Sequence, residues 1–272
     1  MHLRRRRDPR GGDICHCFLT MCTVLVLLRP DHPWPLLIGE NRDERTDRAS
    51  LPPGRHWSDA PGILAGRDLL GGGSWFGVND DGVVATIING AHRLGPLPGK
   101  ASRGELVIRA LREPTAARAV GAIAALSPEG YRGFTMLIAD RRSAFALAND
   151  ERTIRIDALA PGHHIVTPEG CDVAGSPRYD AHAATFRAAP PPEPTENLWS
   201  SWIDLLRHED DDDPRRGLTI RIGDDIATVS SALVAVPAEP LPPVFLFADG
   251  PATRAPYQLL SSPWVHGKNV ES

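Results

Sequence analysis

The sequence predicts an α+β fold of two stacked β-sheets with helices on both outer faces, and three observations lead there. The elements read in the order strands, two helices, strands, two helices, strands. Runs such as Val24 to Leu28 and Leu36 to Ile38 are apolar on both faces, so the sheets they join must be covered on each side. No internal repeat points to a solenoid or a propeller. A four-layer αββα sandwich satisfies all three.

Taken in order, residues 21–28 and 36–44 are apolar runs separated by a Pro- and Asp-rich break, which reads as an antiparallel hairpin. Each run is too short for a stable isolated helix. Residues 45–61, rich in Pro, Asp, Ser and Arg, read as a surface loop anchored by Trp57. A short strand over 63–65 leads to the flexible corner Gly71-Gly72-Gly73. Residues 74–79 and 83–89 then form a second hairpin about Asp81-Gly82. Ser102 and Glu105 have the form of a capping box opening a helix through 112. Pro114 starts a second, alanine-rich helix that ends before Pro128. Short strands over 134–140, 143–149, 153–157 and 164–167 continue a sheet. Residues 179–189 read as helix, 190–194 as a stiff proline-rich break, and 196–208 as helix with Trp199, Trp202 and Leu206 on one face. Strands over 218–222, 226–236 and 244–247 follow, and the last twenty or so residues read as irregular. This sets one domain over 22–250, a leader or over-extended start over 1–21, and an irregular tail over 251–272.

The chemistry concentrates in the first hairpin. A turn centred near His32 sets Cys22 across from Asp43 and Val24 across from Asn41, so Cys22, Asn41 and Asp43 share one face, with opposed Cα atoms about 4.5–5.5 Å apart. A slip of one residue would send them to opposite faces. Met21 directly precedes Cys22. If the working chain begins after it, Cys22 carries both a thiol and an α-amine, with reference pKa values of about 8.5 and about 7.7–8.0. Such an amine can serve as the base that a lone thiol lacks. In the second hairpin Asn89 falls beside Gly72 and Gly73, where backbone N–H groups are approachable, a candidate oxyanion site. The plainer readings are a small buried strand residue for Cys22, a salt-bridged edge residue for Asp43 and a polar strand terminus for Asn89.

Several segments in order, Met21-Cys22-Thr23, Asn41-Arg42-Asp43-Glu44, 63–69, Gly72-Gly73-Ser74-Trp75-Phe76-Gly77-Val78-Asn79, Ser102-Arg103-Gly104-Glu105-Leu106 and 133–138, resemble the NRDE family, which includes the transport and Golgi organisation proteins of eukaryotes. That family in turn resembles the N-terminal-nucleophile (Ntn) hydrolases of the bile salt hydrolase and penicillin V acylase type. The resemblance implies their αββα sandwich and a cysteine amidohydrolase acting on a small amide or acyl compound. Cys22 would be the nucleophile, Asp43 would hold its amine and Asn89 would line the oxyanion site. Asn41, Arg42, Gly73 and Trp75 become candidate binding residues. The departures are specific. The acylases carry an arginine three residues before the aspartate, where this chain has Glu40. They carry an asparagine and a further arginine where it has Thr167-Pro168-Glu169 and Thr228-Val229-Ser230-Ser231. Eukaryotic members are associated with haem movement and with mitochondrial and lipid homeostasis, so the rival reading is a non-catalytic haem or small-ligand carrier.

Composition narrows the field. Among 272 residues the formal charge of −4 is spread over both signs without a basic stripe, which argues against nucleic acid as partner. No apolar run reaches the roughly 20 residues of a membrane span. The four cysteines lack a framework spacing, which suits a reducing, cytoplasmic setting. Cys15-His16-Cys17 is too tight to close a tetrahedral metal site unaided. The acidic run 209–213 reads as a solvated loop, and His163-His164 as polar edge residues with an outside prospect of a haem axial ligand. No resident cofactor or metal is expected. Arg67-Asp68 and Ser102-Arg103 read as loop-bracing pairs.

Overall fold

A computed structural model describes residues 22–90 and 95–262. The leader reading of 1–21, with its Cys15-His16-Cys17 triplet, lies outside the described residues, as does the end of the chain from 263. The strands are β1 (Thr23–Leu28), β2 (Leu36–Arg45), β3 (Ser50–Gly54), β4 (Ile63–Asp68), β5 (Phe76–Asn79), β6 (Val84–Asn89), β7 (Phe134–Ala139), β8 (Ala144–Asn149), β9 (Ile154–Ala158), β10 (Gly162–Thr167), β11 (Gly170–Cys171), β12 (Arg221–Ile222), β13 (Ile226–Val236), β14 (Val244–Ala248) and β15 (Gln258–Ser261). The helices are α1 (Gly104–Leu111), α2 (Ala116–Ala124), α3 (Pro177–Ala188) and α4 (Ser200–Leu206).

The strands form two antiparallel sheets. One runs β11-β10-β1-β2-β13-β14-β15, with β12 added to β13, and the other runs β3-β4-β5-β6-β7-β8-β9. The second is a meander contiguous in sequence. The first gathers strands from the start, the middle and the end of the described chain around the β1–β2 hairpin. Alternation along each central strand separates three large cores among the described residues. Val24, Val26, Leu36, Ile38, Val84, Ile88, Val234 and Phe245 pack between the sheets. Ala85, Ile87 and Met136 pack on α1 and α2, while Leu25, Leu27, Leu37 and Leu233 pack on Phe186 and Trp202 of α3 and α4. The expected αββα sandwich is therefore formed, and the doubly apolar strands are its two inner layers.

The differences from the sequence reading have local causes. The capping box does not form: Arg103 is the N-cap residue without a side-chain cap bond, and Glu105 accepts from the Tyr131 hydroxyl. Thr115 caps α2 through the Arg118 N–H. Asp68 pairs with Arg48 rather than with its neighbour Arg67. Two edge strands escaped the pattern. β3 carries Pro52 and Pro53, which an edge strand tolerates, and β15 pairs with β14 inside the segment expected to be an irregular tail.

Candidate active site

The register of β1 on β2 decides what faces what. Thr23 pairs with Asn41 and Val24 with Glu40. This is a one-residue slip from the expected pairing, and it overturns the shared face of Cys22, Asn41 and Asp43. The turn is the reason: Arg29 N–H donates to Pro35 O and His32 N–H to Arg29 O, so the loop closes symmetrically about His32, whereas pairing Cys22 with Asp43 would need a centre between His32 and Pro33.

Continuing the ladder sets Cys22 against Arg42. The inner face at this end therefore carries Cys22, Glu40 and Arg42. Arg42 is buried, its guanidinium lies 3.8 Å over the Trp75 ring, and its Nη1 donates to Ser50 Oγ at 3.1 Å. Trp75 itself lies over Gly66, where any Cβ would collide with the indole. Arg42 and Trp75, expected as binding residues, thus form one stacked wall beside the cysteine.

Asn41 and Asp43 point the other way, into the helix layer. The Asn41 amide donates to Leu206 O at 2.8 Å and Leu218 O at 2.9 Å and accepts from Ser231 Oγ at 2.6 Å. It ties β2 to α4 and has no reach into the inner face, so the expected binding role is replaced by an architectural one. The Asp43 carboxylate accepts from Arg178 Nη2 at 2.7 Å and from Thr228 Oγ1 at 2.6 Å, while Arg178 Nη1 donates to Thr23 Oγ1 at 2.6 Å. Arg178 is 1 % exposed and Asp43 1 %. A β-bulge at Val229 lets Thr228 and Ser231, three apart, both face this layer. Asp43 still touches the cysteine through its backbone: its N–H donates to Cys22 Sγ at 3.4 Å, and the thiol lies 3.5 Å from its carbonyl oxygen.

Asn89 ends β6 opposite Phe134, half-buried. Alternation puts it with Ala85 and Ile87 on the α1 side, so its amide could approach the inner face only around the strand end. Gly73 serves close packing: a Cβ there would overlap the backbone of Gly104 at the start of α1, and Ser74 N–H donates to Gly104 O at 3.0 Å.

Burial dominates the electrostatics. The Cys22 thiol is pushed up by burial, and further by the carboxyls of Asp43 and Glu40. Glu40, 2 % exposed, is raised well above the usual carboxylate range by burial. Its two oxygens and Thr86 Oγ1, facing it from β6 of the other sheet, are close neighbours outside hydrogen-bonding geometry. With Thr23, Arg178 and Thr228, Glu40 and Thr86 are what the sequence reading left without a role. Arg178 and Thr228 lie 135 and 185 residues from Asp43, beyond any local pattern. The other motifs resolve separately. His164 is bonded through both ring nitrogens, whereas His163 packs edge-on against Phe186 with Nε2 buried and unpartnered.

Residues 21–229 match the family described as Transport and Golgi organisation 2. The chain belongs to that family. No curated protein matches it. The fold of this member of the Transport and Golgi organisation 2 family is similar to those of solved proteins that include an acylase and an acid amidase orthologue. One is the penicillin V acylase from Agrobacterium tumefaciens, at TM-score 0.51 and 12% identity over 84% of this chain and 83% of that one. The other is the Caenorhabditis elegans orthologue of N-acylethanolamine-hydrolyzing acid amidase, at TM-score 0.52 and 12% identity over 80% and 94%. At such identity the likeness carries the fold. Among the described residues no helix is long and apolar enough to cross a membrane.

Proposed function

We propose that this protein is a cysteine amidohydrolase of the Ntn type, acting on a small amide or acyl compound when the Cys22 amine is free. The observation that carries the proposal is the place of Cys22, at the head of a central strand of an αββα sandwich, with its thiol on the main chain of Asp43 and beside Arg42. Burial first, and then the Asp43 carboxylate, hold the proton on that thiol. A free α-amine would supply the missing base. The amine takes the Sγ proton as sulfur bonds to the amide carbonyl carbon. The tetrahedral adduct collapses with C–N cleavage, the proton passing to the leaving nitrogen. Water then hydrolyses the thioester and regenerates the thiol. Arg42 is the cation on the face of Cys22 and the natural counter-charge for the adduct's oxygen. Asn89 is retained as a second donor reaching around the end of β6.

The thiol's raised pKa and the unpaired Glu40 favour a second reading, a non-catalytic cleft for haem or another small ligand. Intact mass of the native protein, labelling by a cysteine-reactive acyl probe, and haem titration followed by visible spectra separate the two. A chain beginning at residue 22, labelled in the parent and not in Cys22→Ser, is expected of the hydrolase. A chain still joined at Met21 that binds haem equally well with and without the Cys22 thiol would overturn it.

A further inference from the structure

A second constellation lies away from Cys22, where the chain crosses from the meander sheet to the other sheet. His164 on β10, Cys171 at the end of β11 and Asp172 present one ligand atom each, and these atoms all lie within 4.8 Å of one another. His164 Nδ1 is 2.6 Å from Asp172 Oδ2, and His164 Nε2 is 2.7 Å from Ala160 O in the crossover. A carbonyl oxygen can only accept, so Nε2 carries a hydrogen, and Nδ1, which shares a proton with Asp172, is the nitrogen that can coordinate once that proton leaves. A ligating histidine is commonly oriented in this way by a backbone carbonyl. Asp172 is also fixed: its φ is +53°, and its Oδ1 accepts from Ile165 N–H at 2.9 Å. The charge balance suits a dication, since Asp157 faces Cys171 beside Asp172, and the positive groups bearing on His164 are Arg187 and, when protonated, His163.

We propose that His164, Cys171 and Asp172 form a three-ligand site for a borderline-soft divalent cation of the Zn²⁺ class, with water in the fourth position. Imidazole, thiolate and carboxylate match that class, and bonds of about 2.0–2.3 Å ask for donors roughly 3.3–3.8 Å apart, so the ion replaces the proton between His164 and Asp172 with a small opening of the pair. Binding releases the Cys171 thiol proton together with that shared proton. The consequence is a clasp, with the ion holding the β10–β11 hairpin and, through His164, the crossover that joins the two sheets.

Cobalt(II) titration of the full chain tests this, because thiolate ligation produces a charge-transfer band. One equivalent is expected to bind with that band, to be displaced by Zn²⁺, and to raise the melting temperature. Cys171→Ser should abolish the band, and His164→Gln should weaken binding at least about tenfold, both in chains that circular dichroism shows to be folded. The double substitution Cys15→Ser and Cys17→Ser should leave the band intact. Absence of the band, or a band that survives Cys171→Ser and disappears with Cys15→Ser and Cys17→Ser, would overturn the site. If Cys171→Ser fails to fold, the His164→Gln titration decides alone.

Discussion

Glu40 and Arg42 occupy alternate inner-face positions of β2, yet only Arg42 finds partners. Glu40 has none within hydrogen-bonding geometry, and burial keeps its proton on. The sign of the consequence follows from linkage. The folded state holds a proton that the unfolded chain releases above its pKa of about 4.3, so Glu40 erodes stability as pH rises from there through its folded pKa. Glu40→Gln keeps the shape and removes the titration. It should be more stable than the parent at pH 8 by at least ~1 kcal/mol, with the gain shrinking towards zero by pH 4, read from urea midpoints at both. A gain equal at the two pH values would refute a neutral, buried carboxyl. At this scale the sequence was legible in part. Cys22, Asp43, Arg42 and Trp75 do gather at one end of the sandwich. Their division between inner and outer face was not legible, because it turns on a loop closure that shifts the pairing from Cys22–Asp43 to Thr23–Asn41.

Elements formed where periodicity was strong and failed where a neighbour decided the outcome. β2, β6, β13 and α2 emerge nearly as read, whereas β3 and β15 exist only because β4 and β14 offer them an edge. The junction of the glycine corner with α1 shows the same dependence. Gly73 is necessary for contact and not for its φ, since α1 begins directly against its Cα. Gly73→Ala forces α1 away or breaks the Ser74–Gly104 bond, and an overpacking cost of about 1–3 kcal/mol is expected. Gly121 in α2 meets nothing within 4 Å, so Gly121→Ala should stabilise by about 0.5–1 kcal/mol through helix propensity. Urea unfolding of both variants with an unchanged m-value checks the pair. A neutral Gly73→Ala would mean that α1 is not seated as described.

Across the whole molecule, the two sheets differ in how the chain assembles them. The meander sheet is complete by the end of β9, and each strand pairs with its predecessor. The other sheet is built around β2, whose outer partner β13 pairs from Arg45 at one end to Leu36 at the other and arrives only after α4. Thr228 and Ser231, which satisfy Asp43 and Asn41, arrive on the same strand. Until β13 docks, β2 presents an unpaired ladder edge, and the outer face carries a carboxylate and an amide lacking part of their hydrogen bonding. The candidate site thus depends on a strand far along the chain, even though its cysteine lies near the beginning. A chain ending at residue 222 is therefore expected to lose the whole first sheet while retaining meander secondary structure. It should bind a hydrophobic dye, associate beyond the monomer, and show no amide-exchange protection in β1 and β2. Protection of β1 and β2 at parent levels in that truncated chain would contradict the dependence, and would mean that the first hairpin is held by β10 and the inter-sheet core alone.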